Sequence, residues 1–135
     1  SCTDVSDPFQ NMRIGLYTMR AFHQNAGVMS VHDILHLHTL GSAEVLNIDQ
    51  DVGSLEVGKF ADFLLIDLRD PDTGPIYDLV ASYVLATSLR NLKAVFVGGE
   101  QIVDETSVLS VNEKILRQEI DTRTNRIRSI AGPPL

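Results

Sequence analysis

From Gln10 to Asn25 the apolar side chains Met12, Leu16, Met19 and Phe22 recur every three or four residues, which gathers them on one face of an amphipathic helix. Gly27 is expected to end that helix. Ser30, with Asp33 three residues on, has the form of an N-cap. Val31, Ile34, Leu35 and Leu37 then open a second helix expected to run to about Leu40. Gly41-Ser42 breaks it and leaves Ala43 to Ile48 as a short third piece.

The pattern then turns to strands. Asp51 to Lys59 carries glycines at turn spacing, and Ala61-Asp62-Phe63-Leu64-Leu65-Ile66-Asp67-Leu68 holds a compact apolar run of strand length, expected to be a buried strand. Arg69 to Pro75 is polar loop. Helical spacing returns from Tyr77 to Leu89 through Leu79, Val80, Tyr83 and Val84. Leu92 to Val97 and Glu100 to Val103 are two apolar runs joined across Gly98-Gly99, which is the strongest hairpin signal in the chain. A last helix is expected over about Val111 to Ile130, with Ile115, Leu116, Ile120 and Ile127 as its inner face. The whole is an α/β chain of 135 residues with a small sheet whose edges are expected to be open.

Composition narrows the function classes. With 44% hydrophobic residues the chain can bury a core, which argues against disorder. A net charge of −7 opposes binding to a polyanion, so a nucleic-acid surface is not expected. Lys114, Arg117, Arg123, Arg126 and Arg128 form a basic bias against Glu119 and Asp121, but no aromatic residue interleaves with them and a solvated helix face is the better reading. No apolar run is long enough to span a membrane, a signal peptide is not expected, and the one cysteine, Cys2, fits a reducing compartment. Cytoplasm is the expected location. The opening, Ser1 to Phe9, reads as cut from something longer.

Candidate chemistry is sparse. His23, His32, His36 and His38 all fall in or beside the first two helices. On a helix His36 and His38 face different directions, whereas His32 and His36 lie one turn apart, so only the latter pair has chelating geometry. Surface or packing roles outweigh ligation for all four. Cys2 has no base with an orienting partner and is not expected to be a nucleophile. Gly53, Gly58 and Lys59 resemble part of a phosphate loop, yet Phe60 stands where a hydroxyl residue is required. Asp4 precedes a Ser-Asp-Pro turn that leads into a helix, and its plain reading is an exposed carboxylate or cap.

The run Gly53-Ser54-Leu55-Glu56-Val57-Gly58-Lys59-Phe60-Ala61-Asp62, followed by an apolar strand, resembles the signature near the C-terminus of the amidohydrolase superfamily. Thr39-Leu40-Gly41-Ser42-Ala43 upstream and the hairpin Leu92 to Val103 downstream are similar to that superfamily's flanking motifs, in the same order. The resemblance implies the C-terminal fragment of a (β/α)8 barrel. Residues 1–50 would be the end of strand eight and its following helices, 51–105 part of a flanking small β-sandwich, and 106–135 a C-terminal helix and tail. It also implies a metal-dependent hydrolase acting on a C–N bond of a small heterocyclic substrate. Zinc or iron would serve the full-length enzyme, and this fragment would be inactive and without bound metal.

In such barrels an aspartate at the end of strand eight binds the metal and accepts a proton from the attacking water. Asp4 is the matching position, as both metal ligand and catalytic base. Asp4-Val5-Ser6-Asp7-Pro8-Phe9 looks like the cytosine deaminase branch, with atrazine chlorohydrolases and guanine deaminases as relatives; an ungapped register on Asp7-Pro8-Phe9 would bring Thr3 to the slot instead. The other metal ligands of the superfamily would precede Ser1. A parent acting on cyclic amides or dipeptides, or a non-catalytic binding module, is the alternative. Unpaired edges at Ala61 to Leu68 and Leu92 to Val103 imply self-association, hence a homo-oligomer.

Overall fold

The computed structural model describes residues 6–131. Three helices open the chain: α1 (Pro8–Phe22), α2 (Val31–His38) and α3 (Leu40–Val45). A four-residue strand follows, β1 (Phe63–Ile66), then α4 (Leu79–Ala86), the hairpin of β2 (Leu92–Val97) and β3 (Glu100–Asp104), a two-residue β4 (Ser107–Val108), and the long α5 (Glu113–Ala131).

Capping chemistry sets the helix starts. Asp7 accepts hydrogen bonds from the Phe9 and Gln10 amides at 2.9 and 3.3 Å, with Pro8 filling the first helical position. Ser30 and Asp33 form a reciprocal capping box, as the spacing suggested. Elsewhere the boundaries shift. The first helix stops at Phe22 and not at Gly27, because Gln24 already takes a positive φ of 49°. The second ends at His38, where Thr39 leaves helical geometry, and the third runs over Leu40–Val45 rather than Ala43 to Ile48.

The core belongs to the helices. Phe9, Met12 and Leu16 from α1 meet Ile34 from α2 and Val84 from α4, and all five are buried. At roughly 1.5–3 kcal/mol for each fully buried apolar side chain, this cluster is the main hydrophobic anchor of the structure. Phe9 and Tyr83 pack edge to face at 5.6 Å. Arg13 of α1 donates to the Thr87 and Val84 carbonyls at 2.7 and 3.4 Å, so it satisfies the open C-terminal end of α4. Ile66 at the end of β1 packs against the same cluster and joins the sheet to the helical layer.

The sheet is antiparallel throughout, in the order β1-β2-β3-β4. Gly98 and Gly99 link β2 and β3 at φ values of 58° and 82°, and this left-handed backbone at both positions is what a two-residue hairpin loop needs. Phe63 and Phe96 face each other in register, with rings stacked at 4.5 Å. The open-edge expectation holds for β1, which pairs only with β2 among the described residues. It fails for β2, which is central, and β3 carries β4 along part of its outer side. β1 is also not a buried strand: Leu64 and Leu65 are 40% and 48% exposed. The expected inner face of the last helix is likewise open, since no α5 residue is buried.

Candidate functional site

Asp4, the one residue expected to be both metal ligand and catalytic base, lies outside the described residues, as does Thr3. What the structure defines is the frame immediately after it. The Asp7 cap, the Pro8 start and the fully buried Phe9 ring fix the chain three residues downstream of Asp4.

The histidines do not converge. His23 follows α1, while His32, His36 and His38 are exposed along α2. Among the described residues, no group of three or more His, Cys, Asp or Glu side chains is arranged to hold a metal ion. A tetrahedral or larger coordination shell therefore does not fit these described residues on their own.

The glycine-rich run is a structural device. A Cβ on Gly53 would lie 2.9 Å from both the Ala43 Cβ and the Leu40 Cα, so the loop lies directly on α3. Lys59 Nζ donates to Ser54 Oγ at 2.7 Å and lies 3.6 Å from Glu56 Oε1, which closes the turn. The Ser54 hydroxyl and then Lys59 hold the Glu56 carboxyl below its ordinary range. The Asp62 carboxylate accepts from the Gly98 amide at 2.6 Å, and Gly99 N–H donates to the Ala61 carbonyl at 3.0 Å. The aspartate of the signature thus ties the start of β1 to the distant β-hairpin loop. Sequence reasoning recognised the run but not this job; its signal was an aspartate just ahead of an apolar strand, with a glycine pair later in the chain.

A groove and a cleft among the described residues accompany this frame. An open, mainly apolar groove of about 620 Å3 lies between the helices and β1, lined by residues including Leu35, His38, Ser42, Phe63, Leu79 and Tyr83. Partial burial against the groove pushes the His38 imidazole below its usual value and the Tyr83 phenol above its own. A polar cleft of about 410 Å3 lies by Asp67, Arg69, Asp70, Arg90, Asn91 and Lys93. Its charges neutralise one another. Arg69 binds the Asp67 carboxylate through two side-chain bonds of 2.9 and 2.8 Å, Arg90 engages Asp70 and Asp72, and Lys93 meets Glu105 at 3.1 Å. Asn91 is buried and donates to the Asp67 carbonyl at 3.1 Å, so the cleft is a brace for the end of β1.

This mixed helix-and-sheet frame is shared with known proteins. Residues 1–102 match the Amidohydrolase family, and the chain belongs to that family. Among its relatives is 5-methylthioadenosine/S-adenosylhomocysteine deaminase 1 of Syntrophus aciditrophicus (strain SB), 28% identical over 129 residues that cover 96% of this chain and 29% of that protein. The 5-methylthioadenosine/S-adenosylhomocysteine deaminase of Bacillus thuringiensis (strain Al Hakam) is 38% identical over 98 residues, 72% of this chain and 22% of its own. The chain therefore spans less than a third of the length of these curated relatives.

Solved structures agree on the fold. An adenosine deaminase from Xanthomonas campestris, solved with bound zinc, superposes with a TM-score of 0.86 at 24% identity, over 90% of this chain and 28% of that one. A triazine hydrolase variant superposes with a TM-score of 0.71 at 26% identity, over 82% of this chain and 25% of its own.

Proposed function

We propose that this chain is the C-terminal part of a metal-dependent amidohydrolase that hydrolyses a C–N bond of a nitrogen heterocycle and releases ammonia. The observation that carries the reading is the family match across residues 1–102 together with deaminase relatives that extend well beyond this chain. In this reading residues 1–50 finish the catalytic barrel, 51–105 contribute to a flanking β-sandwich, and 106–135 form a C-terminal helix and tail. Asp4 is the strand-end carboxylate that accepts a proton from the attacking water. A divalent metal, zinc or iron, would be held mainly by side chains that precede Ser1; the zinc in the Xanthomonas neighbour supports the first choice.

Similarity to 5-methylthioadenosine/S-adenosylhomocysteine deaminases favours an adenine ring over cytosine as substrate. The reaction needs one water and one ring-bound amino group, and gives a ring carbonyl and ammonia. A lone carboxylate without the other ligands cannot assemble the required site, so the 135-residue chain alone is inactive in this account. The test is ammonia release from 5′-methylthioadenosine, adenosine, cytosine, guanine and an aminotriazine, measured with the longest in-frame product that contains this chain. Turnover of an adenine nucleoside first among these supports the reading. No ammonia release from any of these heterocycles overturns it.

A further inference from the structure

Asp4 stands three positions before Asp7, with only Val5 and Ser6 between them. Three residues of chain reach at most roughly 10–11 Å, so whatever fixes Asp7 also limits where the Asp4 carboxylate can go. Asp7 is fixed from several sides. Its Oδ1 accepts from the Phe9 and Gln10 amides at 2.9 and 3.3 Å, and its carbonyl accepts from the Asn11 amide at 3.0 Å. Pro8 behind it disfavours helical backbone at Asp7, which lies extended at φ −81° and ψ 111°. One residue further on, the buried Phe9 ring packs edge to face on Tyr83, and in the next turn Arg13 donates to the Thr87 and Val84 carbonyls. The entry into α1 is thereby tied to α4, a helix far along the chain.

We propose that Asp7 is a positioning residue for Asp4: its cap on α1 sets the direction in which the chain leaves Asp4, and through it the reach of that carboxylate to the attacking water. The inference rests on the reading of Asp4 as the group that accepts the proton. A proton acceptor works only within hydrogen-bond reach, about 2.6–3.2 Å, and a misplacement of about 1 Å costs on the order of a hundredfold in rate. Asp7 itself does none of the chemistry, because both of its side-chain bonds go to amides of the helix it caps. Misplacing a proton acceptor weakens the transition state and not the bound substrate, so the loss falls on kcat and leaves KM in place. A role confined to stability would instead follow the unfolding temperature and would be shared by any cap of equal strength elsewhere in the chain.

Steady-state ammonia release from 5′-methylthioadenosine and adenosine by the longest in-frame product, well below its unfolding temperature, separates the two. Asp7→Ala is expected to lower kcat about tenfold to a hundredfold with KM within about twofold of wild type. Asp7→Asn and Asp7→Ser keep a capping oxygen and are expected to hold kcat within about twofold. Ser30→Ala removes the same kind of cap from α2, which has no such link to Asp4, and is expected to lower the unfolding temperature while kcat stays at the wild-type value. Hydrogen exchange at the Phe9 amide is expected to quicken in Asp7→Ala and not in Asp7→Asn, which reports the cap independently of turnover. Wild-type kcat in Asp7→Ala, a loss that Asp7→Asn shares, or an equal loss in Ser30→Ala overturns this inference and leaves the reading of Asp4 intact. Full turnover by Asp4→Asn, or none by wild type, overturns that reading and this inference with it.

Discussion

Adding one methyl group at Gly53 is expected to cost far more than adding one at Gly58, although both glycines hold left-handed backbone at φ values of 93° and 100°. For a residue with a Cβ that conformation costs roughly 1–2 kcal/mol at either site. At Gly58 nothing lies within 4 Å of the added atom, so that is the whole penalty. At Gly53 the atom arrives 2.9 Å from the Leu40 Cα, which is backbone and cannot turn aside, and equally close to the Ala43 Cβ. Forcing loop and helix apart adds about 1–3 kcal/mol, the usual cost of overpacking. Gly53→Ala should therefore lose about 2–5 kcal/mol and Gly58→Ala about 1–2. In urea, with a slope of roughly 1–3 kcal/mol per molar, the midpoint of Gly53→Ala should fall by about 1 M more than that of Gly58→Ala. Equal midpoints for the two variants would refute the close packing of the signature loop on α3.

Leu16→Ala removes a fully buried side chain from the helical core and should cost about 2–5 kcal/mol in the same unfolding assay. Asp62→Ala should cost about 1 kcal/mol and speed hydrogen exchange at the Gly98 amide, whereas Asp62→Asn, which keeps an acceptor oxygen, should preserve the protection. The Arg69 side chain, and then its amide, hold the Asp67 carboxyl well below its ordinary 3.8. Its stabilising contribution is thus complete above that value and lost as the pH falls below it, so Asp67→Asn should flatten the decline in urea midpoint below about pH 4. Burial lowers the His38 imidazole from 6.5, so the unfolded chain takes up that proton first and stability falls as the pH drops through this region. His38→Gln should remove that slope below about pH 6.5.

What could be read from the sequence was local. The Ser30 and Asp33 capping box, the two strands around Gly98-Gly99 and the helical stretch through Leu79, Val80, Tyr83 and Val84 declare themselves within a few residues, and each appears where the pattern put it. The long-range facts were not legible. Nothing in the run from Leu64 to Leu65 distinguishes a strand buried on both faces from an edge strand with exposed leucines, because periodicity reports apolar character and not what covers it. The same holds for α5, whose isoleucines have the spacing of an inner face yet meet no core. Thr39 ends a helix by its backbone geometry and not by its composition, which is why Gly41 drew the boundary too late.

The site divides in the same way. The family motif around Gly53 to Asp62 was recognisable as a string, while the bond from Asp62 to Gly98 joins residues 36 positions apart and needed a structure. The histidines of α2 were expected to serve surface or packing roles rather than ligation; they lie exposed, and among the described residues no group of three or more ligand side chains forms around them.

The most direct measurement concerns Asp4. In the zinc-loaded longest in-frame product, Asp4→Asn is expected to abolish ammonia release from an adenine nucleoside by about a thousandfold or more while its thermal unfolding stays at the wild-type temperature. Full deamination by that variant would contradict the account, and so would comparable turnover by the 135-residue chain alone.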